Sequence, residues 1–417
     1  MASVSVIKAR YLIDGLSDRV IDNPGIVVEG KSIKEVFIKG EEVDYYKNAE
    51  TIDLGDCTLL PGLIDSHVHL TLGTSENYYE VIRESDGVHL ATGVVNSRAA
   101  LSQGITTVVD AGSRNFVAHD LREASKKGII EAPNLLIAGR PLTITGGHFW
   151  FCNDNEADGC DQVRRRVRQF VKENIDILKV MASGGGSATQ GSMSGPTASM
   201  VAYNVNELKT SVEEAHKLGR IVTAHCEAYE SVHNAACAGV DVLAHCGFIL
   251  PDGERGFDEE AVKLMANKRL YYNPTLQTGS ARYDELRKRE ESGNLTQKDK
   301  DALEALEYKF RKKFENLRRI IDQGVEIVAG SDASGFGNST RLIRSLEMMH
   351  EAGMSQIQVI RSATSIAAKA LKMDAKLGSI KPGIEADILG VKGNVSLDIS
   401  SLRKTRFVMK SGVKVIN

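Results

Sequence analysis

The sequence has no large excess of one sign of charge, no long apolar run and no closely spaced pair of cysteines. Lys and Arg number 52 against 55 Asp and Glu, a net charge of −3 that lacks the basic excess typical of nucleic-acid partners. No run of about 18 uncharged apolar residues is present, so no membrane span is predicted. Residues 1–10 lack the basic and apolar segments of a secretory signal, and we expect a cytoplasmic protein.

The cysteines are few, scattered and without a CxxC pair: Cys57, Cys152, Cys160, Cys226, Cys237 and Cys246. In a chain of this length they are predicted to be buried, reduced thiols. Cys152 and Cys160 share one predicted loop, so a disulfide or a thiolate metal site there remains an alternative.

The length of 417 residues, 42% of them apolar, exceeds one ordinary domain and suits a large barrel with a smaller module. Residues 1–60 read as β-strands, including a hairpin formed by Gly25–Lys31 and Ile33–Ile38. Strand-like runs return after residue 365. We therefore predict a small β-sandwich domain built from residues 1–60 and 366–417.

Residues 61–365 alternate apolar strand-like runs with helix-like segments, the pattern of βα units. Eight such units predict an α/β fold of the (β/α)8 TIM-barrel type, with catalytic groups at the carboxyl ends of the strands. The predicted strands are Gly62–His69, Thr106–Gly112, Asn134–Leu142, Ile177–Ser183, Val222–Glu227, Val242–Cys246, Leu270–Leu276 and Glu326–Ala333.

Two segments between these strands stand out by composition. Residues 280–320 mix acidic and basic residues at helical spacing, which predicts a solvated helical excursion after strand seven, with a lid or partner role as the alternative. Residues 184–195 are rich in Gly and Ser but lack the Gly-Lys-Ser/Thr ending of a phosphate-binding loop. We expect a mobile loop near the active face.

His67 and His69 end the first predicted strand, directly after the turn signal Pro61-Gly62. Residues two apart in a strand point to the same side, so both imidazoles can contact one metal ion. The alternative is a pair of structural histidines, each with its own hydrogen bonds.

Lys179 lies inside the apolar run Ile177–Ala182. Burial should lower the pKa of its amine, and a neutral amine can combine with carbon dioxide to form a carbamate whose two oxygens bridge two metal ions. The alternative is a lysine whose ammonium reaches solvent or pairs with an aspartate.

Three further polar residues end predicted strands. His225 and His245 close strands five and six, and neutral imidazole is a common zinc ligand. Asp332 ends strand eight, where it either caps the next helix or binds a metal and accepts a proton from metal-bound water.

This set of residues, together with Pro61–Asp65 and the segments Gly378–Ile380 and Ala386-Asp387, resembles the amidohydrolase superfamily over nearly the whole chain. The resemblance implies two divalent metal ions, most often zinc, and a bridging hydroxide that attacks a carbonyl carbon. It implies that Asp332 binds the first ion and acts as general base and then acid. The implied ligands are His67 and His69 for the first ion, His225 and His245 for the second, and carboxylated Lys179 as the bridge.

Within the superfamily the chain looks most like the prolidase-like and Xaa-Arg or Xaa-Lys carboxypeptidase group, on the segments Thr145–His148 and Lys179–Gly185. Ochratoxin-degrading amide hydrolases are similar too. The resemblance implies that His148 polarises the carbonyl or holds the substrate; a loop histidine bonded to backbone is the alternative.

Two stretches depart from that group. Phe149-Trp150-Phe151 follows His148 where the dipeptidases tend to have smaller or polar residues, so Trp150 is a candidate contact for a bulky or aromatic substrate. Glu227 stands where they tend to carry Tyr or His. Glu227 and Tyr229 are therefore candidate substrate-binding residues. Glu227 could contact a cationic or amide N–H group of the substrate, and the alternative is a salt bridge within the protein.

We predict a metal-dependent hydrolase of an amide-type C–N bond that acts on a small molecule, with a dipeptide or N-acyl amino acid favoured, and a homo-oligomer. The alternative substrate is a xenobiotic or cyclic amide, carbamate or urea with an aromatic group. A deaminase is a weaker alternative, since superfamily deaminases typically use one metal and lack the strand-four lysine. A non-catalytic scaffold relative would usually have lost metal ligands, whereas all six positions are filled here.

Overall fold

The computed structural model describes residues 4–39, 49–72, 78–185, 197–335 and 341–416. Its strands are β1 Val4–Lys8, β2 Tyr11–Leu12, β3 Ile21–Asp22, β4 Pro24–Glu29, β5 Ser32–Ile38, β6 Glu50–Asp53, β7 Cys57–Pro61, β8 Leu63–His69, β9 Ile105–Asp110, β10 Asn134–Ile137, β11 Ile177–Met181, β12 Ile221–Ala228, β13 Val242–Ile249, β14 Tyr271–Asn273, β15 Glu326–Ile327, β16 Ala333–Ser334, β17 Ile388–Lys392, β18 Thr405–Lys410 and β19 Val413–Ile416.

Helices follow most of the central strands. They are α1 Tyr78–Arg83, α2 Asp86–Ser102, α3 Val117–Lys126, α4 Gly159–Lys172, α5 Val205–Lys217, α6 Tyr229–Ala238, α7 Glu259–Lys268, α8 Ser280–Glu291, α9 Gln297–Asp322, α10 Arg341–Glu351, α11 Gln356–Ser362 and α12 Ser365–Ala370. Among the described helices, none is long and apolar enough to cross a membrane.

The barrel consists of two arcs of parallel strands, β16-β8-β9-β10 and β11-β12-β13-β14-β15. Strands β9 and β11 are buried along their whole length, because helices cover the outer face of a barrel and side chains fill its interior. Leu142 joins the arcs on one side through a bridge to Val180. On the other side the Ser66 amide donates to the Ala329 carbonyl. The predicted (β/α)8 TIM barrel is therefore the fold.

Some predicted strands are shorter in the structure. Strand three ends at Ile137 instead of Leu142, and strand seven ends at Asn273 because Thr275 has a left-handed φ of +40°. Strand eight is split into β15 and β16 because Asp332, with φ of +53°, cannot continue an extended strand.

Both ends of the chain supply the remaining sheets. One has the order β5-β4-β1-β6 and the other β19-β18-β17-β7-β2-β3, so the second joins amino-terminal to carboxyl-terminal strands. The predicted hairpin is present as β4 and β5, which pair antiparallel. The limits of a separate domain at residues 60 and 366 stay a prediction. Indeed α12, which crosses the second limit, packs through Ala367 against Ile64 of the barrel.

The charged excursion after strand seven is helical, as predicted, and comprises α8 and α9. Helix α9 begins with a capping box in which Thr296 and Asp299 satisfy each other's backbone amides. Within the Gly/Ser-rich loop, residues 186–195 lie outside the described residues. All six cysteines are free, including Cys152 and Cys160, so the disulfide alternative for that pair is wrong.

Candidate metal and catalytic site

The six predicted metal-ligating residues form one buried cluster at the carboxyl ends of the barrel strands. The ligand atoms of His67, His245 and Asp332 all lie within 4.8 Å of one another. His69 Nε2 is 3.4 Å from Asp332 Oδ1, and Lys179 Nζ is 3.0 Å from His67 Nε2. The cluster closes with His225, whose ring centroid is 4.5 Å from that of His245.

The local backbone at this site is strained. His245 and Asp332 have φ values of +69° and +53°, a region that costs a residue with a side chain about 1–3 kcal/mol. Such conformations persist where surrounding contacts hold them, and they are frequent at functional sites. A bond from the Asp332 amide to the His67 carbonyl, 2.7 Å long, is one contact that holds strand eight against strand one.

Hydrogen bonds orient the histidine rings. His69 Nδ1 is 2.9 Å from the Gly112 carbonyl, and His245 Nδ1 is 2.7 Å from the Thr275 hydroxyl. In each ring the other nitrogen is left for the cluster, and partners of this kind set the tautomer of metal-binding histidines. His225 differs, since its Nε2 contacts the Gly184 carbonyl at 2.9 Å and leaves Nδ1 for the cluster.

Burial controls the charge of these groups. It lowers the pKa of His67 and His245 well below the ordinary range, so both rings are neutral at neutral pH, the form that binds metal. Burial also lowers the pKa of Lys179, 1% exposed, to about 8. Burial alone would raise the pKa of Asp332, but its contact with His69 and the nearby Lys179 ammonium outweigh burial and hold that pKa below the usual range.

These residues fit divalent metal ions. Neutral imidazoles and a carboxylate form the nitrogen and oxygen donor set that zinc prefers, and three of the donors are spaced to meet at one point. Two histidines carry the outer hydrogen bonds expected of metal ligands. The arrangement can lower the pKa of a water molecule and polarise a carbonyl group.

His148 lies beside the cluster, as the sequence predicted. Its ring centroid is 4.7 Å from that of His225, and the side chain is 6% exposed. Burial lowers its pKa well below the ordinary range. Gly185 permits this placement, because a Cβ there would collide with the His148 ring.

Trp150, a predicted substrate contact, is half-buried in an apolar cluster that also contains Phe151 and Leu72. The aromatic residue beside the histidines is Phe149, whose ring centroid is 5.0 Å from that of His69 and 4.8 Å from that of His148. Sequence reasoning missed Phe149 because all three residues of the run are equally aromatic, and only the left-handed φ of Phe149, +64°, determines which one faces the histidines.

Glu227 and Tyr229 follow His225 on the same segment. Glu227 Oε2 is 3.7 Å from the Arg255 guanidinium, so the salt-bridge alternative is the one present. Tyr229 starts helix α6 and is half-buried, with its ring 6.4 Å from Phe248.

A further buried carboxylate, Asp65, holds the backbone beside two of the candidate metal ligands. It was not singled out by the sequence analysis. Asp65 accepts hydrogen bonds from the Ser331 amide and hydroxyl, 2.9 and 2.6 Å long, and from the His67 amide at 3.2 Å. Burial raises the pKa of Asp65 to about 6. Its position two residues before His67, on the same face of β8, was the available signal.

A (β/α)8 barrel with this cluster at its carboxyl ends defines a metal-dependent hydrolase. The chain belongs to the amidohydrolase family, whose family model matches residues 58–416. That family is generally a binuclear metal-dependent one. The chain is accordingly an amidohydrolase-family hydrolase with a candidate metal site of histidine and aspartate side chains.

Individual relatives agree over the full length of the chain. The chain is 26% identical to an ochratoxinase of Aspergillus niger over 98% of its own length and 85% of the relative's. It superposes on a Xaa-Pro dipeptidase with methionine bound in the active site, with a TM-score of 0.84, 28% identity and full coverage of both chains. A prolidase in complex with N-methylphosphonate-L-proline matches with a TM-score of 0.83, 25% identity and full coverage of both chains.

Proposed function

We propose that this chain hydrolyses the amide bond of a dipeptide or an N-acyl amino acid. The observation that carries the proposal is the single buried cluster of six ligand-type side chains, with His148 beside it. The similarity to a Xaa-Pro dipeptidase and a prolidase supports the substrate class.

The proposed metal-binding roles follow the resemblance to the amidohydrolase family. His67 and His69 hold one ion together with Asp332, which is 3.4 Å from both imidazoles. His225 and His245 would hold the second, and Lys179, carboxylated on its buried amine, would supply oxygen ligands to both. Bound divalent ions, with Zn²⁺ favoured, supply a water molecule of lowered pKa and a Lewis acid for the scissile carbonyl.

Asp332 and His148 carry the proton and orientation steps. The lowered pKa of Asp332 keeps its carboxylate ionised at neutral pH. In this form it accepts the proton of the attacking water and then delivers it to the leaving amine nitrogen. Neutral His148 donates a hydrogen bond to the substrate carbonyl oxygen, and the buried walls around both residues exclude bulk water. Glu227, Tyr229 and Trp150 are proposed to line the outer part of the substrate site.

The aromatic wall favours a second candidate. Because Phe149 is in contact distance of the His69 and His148 rings, an aromatic xenobiotic amide, carbamate or urea can stack beside the metal ligands. The similarity to an ochratoxinase is compatible with this candidate.

Lys179→Ala tests the bridging role. We expect the variant to lose bound metal and activity together, because a methyl group cannot supply bridging oxygens. Elemental analysis of protein prepared without chelators should give about two ions per wild-type chain. Release of amino acids from a panel of dipeptides and N-acyl amino acids measures activity.

Lys209→Ala is the matched control, since Lys209 is exposed on helix α5 and pairs with Glu213. It should retain metal and activity. A Lys179→Ala protein with full metal and full activity would show that the bridge is wrong. About one ion per chain, with ammonia released from ring amines, would instead indicate a deaminase.

A further inference from the structure

His89 is a buried histidine of helix α2 that has no role in the proposed metal site, and it is 1% exposed. Its Nδ1 is 2.9 Å from the Thr71 carbonyl oxygen, and its Nε2 is 3.1 Å from the Val81 carbonyl oxygen. A carbonyl oxygen only accepts hydrogen bonds, so each contact requires a proton on the ring nitrogen. Because a neutral imidazole carries one such proton, the two contacts together require the imidazolium form.

The charged groups around His89 can balance an imidazolium charge. Glu84 Oε2 is 3.8 Å from His89 Nδ1; this oxygen is buried and accepts no hydrogen bond from a residue in the described ranges. Arg114 is a second cation, which donates to the same Val81 carbonyl at 3.4 Å and whose Nε is 3.5 Å from Asp86. Two cations therefore meet two carboxylates, and Glu84 is the counter-ion of His89.

Helix α1 depends on hydrogen-bond donors from outside itself. It has six residues, fewer than a helix needs to be stable alone, and its last carbonyl groups have no partner within the helix. His89 donates to the Val81 carbonyl, and Arg114 donates to the carbonyls of Ile82 and, just past the helix, Glu84 at 2.7 and 3.0 Å. Cations are also favourable at this negative end of the helix dipole.

Helix α1 in turn packs behind the aromatic residue that stands beside the metal ligands. Val81 belongs to the same apolar cluster as Phe149 and Leu72, and the Phe149 ring centroid is 5.0 Å from that of His69. The second His89 contact holds the carbonyl of Thr71, two residues after His69. One side chain therefore joins the end of strand one to the helix that supports the aromatic wall.

We propose that His89 is a positioning residue, held as a buried imidazolium, that fixes helix α1 to the end of strand one beside the proposed active site. Loss of one proton would leave a nitrogen lone pair facing a carbonyl oxygen, and two acceptors repel each other. One of the two contacts should therefore open as pH rises between about 6 and about 9, where imidazolium ions lose a proton. This inference does not depend on which amide the protein hydrolyses.

The protonation of His89 can be measured directly from the ¹⁵N chemical shifts of its ring, assigned through correlations with its own backbone. At about pH 7.5 an ordinary histidine is mostly neutral, whereas we expect both ring nitrogens of His89 to show imidazolium shifts. A neutral ring with one unprotonated nitrogen at this pH would overturn the proposal.

Two variants separate the two contacts. The side-chain nitrogen of Asn takes the position of Nδ1 and that of Gln the position of Nε2, so His89→Asn can keep the Thr71 contact and His89→Gln the Val81 contact. Hydrogen exchange of the backbone amides of α1, measured by mass spectrometry on the full chain, should accelerate by about tenfold in His89→Asn, the effect of losing one hydrogen bond to a charged donor. In His89→Gln it should stay within about threefold of wild type.

The pH profile gives a readout that a purely structural role would not change. In wild type, exchange of α1 or of the end of β8, corrected for the intrinsic rate, should accelerate between about pH 7 and about pH 9. In His89→Gln, whose amide does not titrate, it should stay constant. His350→Gln is the matched control, since His350 lies in α10 and contacts the Met354 carbonyl at 2.8 Å; α1 should exchange there as in wild type.

The outcomes separate this inference from the proposed function. Equal exchange of α1 in wild type, His89→Asn and His89→Gln, or a wild-type profile without pH dependence, would overturn the positioning role and leave the amide hydrolase intact. None of these measurements needs a substrate, so failure to cleave any member of the panel would overturn the proposed function alone.

Discussion

Asp65 shows how one side chain can set the geometry of a site that it does not enter. Its two carboxylate oxygens bind the backbone and hydroxyl of Ser331, directly before Asp332, and the amide of His67. Strand one and the end of strand eight are therefore tied together through a single group, 2% exposed. The distance of 3.4 Å between His67 and Asp332 depends on this link.

Asp65→Ala should weaken metal binding and lower kcat/KM by about 10–100-fold, the usual effect of removing a partner of the ligand residues. The buried amides of Ser331 and His67 would lose their acceptor. Metal titration and steady-state kinetics measure the effect.

Asp65→Asn retains one acceptor oxygen and should recover most of the loss. Equal damage in both variants would indicate that the negative charge matters instead of the hydrogen bonds to Ser331 and His67.

Among the secondary-structure elements, strand eight is the least regular and the most consequential. Its two parts, β15 and β16, are separated by residues 328–332, which include Gly330 and Asp332, and the break turns the Asp332 carboxylate toward the histidines. A Cβ at Gly330 would collide with the Asn273 side chain and approach the Cβ of His67 to 2.8 Å. Glycine is therefore required for strand eight to lie close to strands one and seven.

Gly330→Ala should destabilise the fold by about 1–3 kcal/mol, the cost of overpacking a filled interior, and should reduce metal content. Chemical denaturation and elemental analysis are the measurements.

Gly87→Ala in helix α2 is the control, since its added methyl would meet only the Ser85 hydroxyl at 3.7 Å. It should be neutral or stabilising by up to about 1 kcal/mol through helix propensity. If Gly330→Ala matched this control, strand eight would have room that the structure does not show.

At the scale of the whole molecule, Asp387 joins the sheet of both chain ends to the barrel. Its carboxylate accepts from the Ser411 amide at 2.7 Å and from Asn134 Nδ2 at 3.4 Å, while its carbonyl accepts from the Gly62 amide. Burial raises the pKa of Asp387 from 3.8 to about 6. The folded state therefore binds more protons than the unfolded state between these two values.

Stability from this group is present below pH 4 and is lost as pH rises through about 6. Asp387→Asn, which cannot ionise, should gain stability relative to wild type between about pH 4.5 and about pH 7, by up to about 2 kcal/mol. The measurement is the difference in free energy of unfolding between variant and wild type at both pH values.

Asp398→Asn is the control. A hydrogen bond with Ser400 lowers the pKa of Asp398 from 3.8, so the stability that its carboxylate contributes is fully present above 3.8 and is lost only as pH falls below that value. The difference in free energy of unfolding between Asp398→Asn and wild type should therefore stay constant between about pH 4.5 and about pH 7. A flat difference for Asp387→Asn would show that Asp387 is not desolvated in solution.

The sequence by itself determined the class of fold and the six candidate metal ligands, although not the neighbouring Phe149 and Asp65. Eight apolar runs at βα spacing predict the barrel, since parallel strands must be buried on both faces. Predicted strand ends carry His67, His69, His225 and His245. These residues are expected to meet because the barrel topology brings the strand ends to one face and residues two apart in a strand point to the same side.

Only the tertiary structure decided which neighbours those residues have. The Asp65–Ser331 link joins residues 266 positions apart, a separation that no local pattern encodes. The backbone conformations that aim Phe149 inward and divide strand eight are imposed by packing. Lys313 is buried in helix α9, although the sequence predicts that this helical segment is solvated. In the sequence it is one basic residue among many, because charge and spacing alone do not reveal which face of a helix is covered.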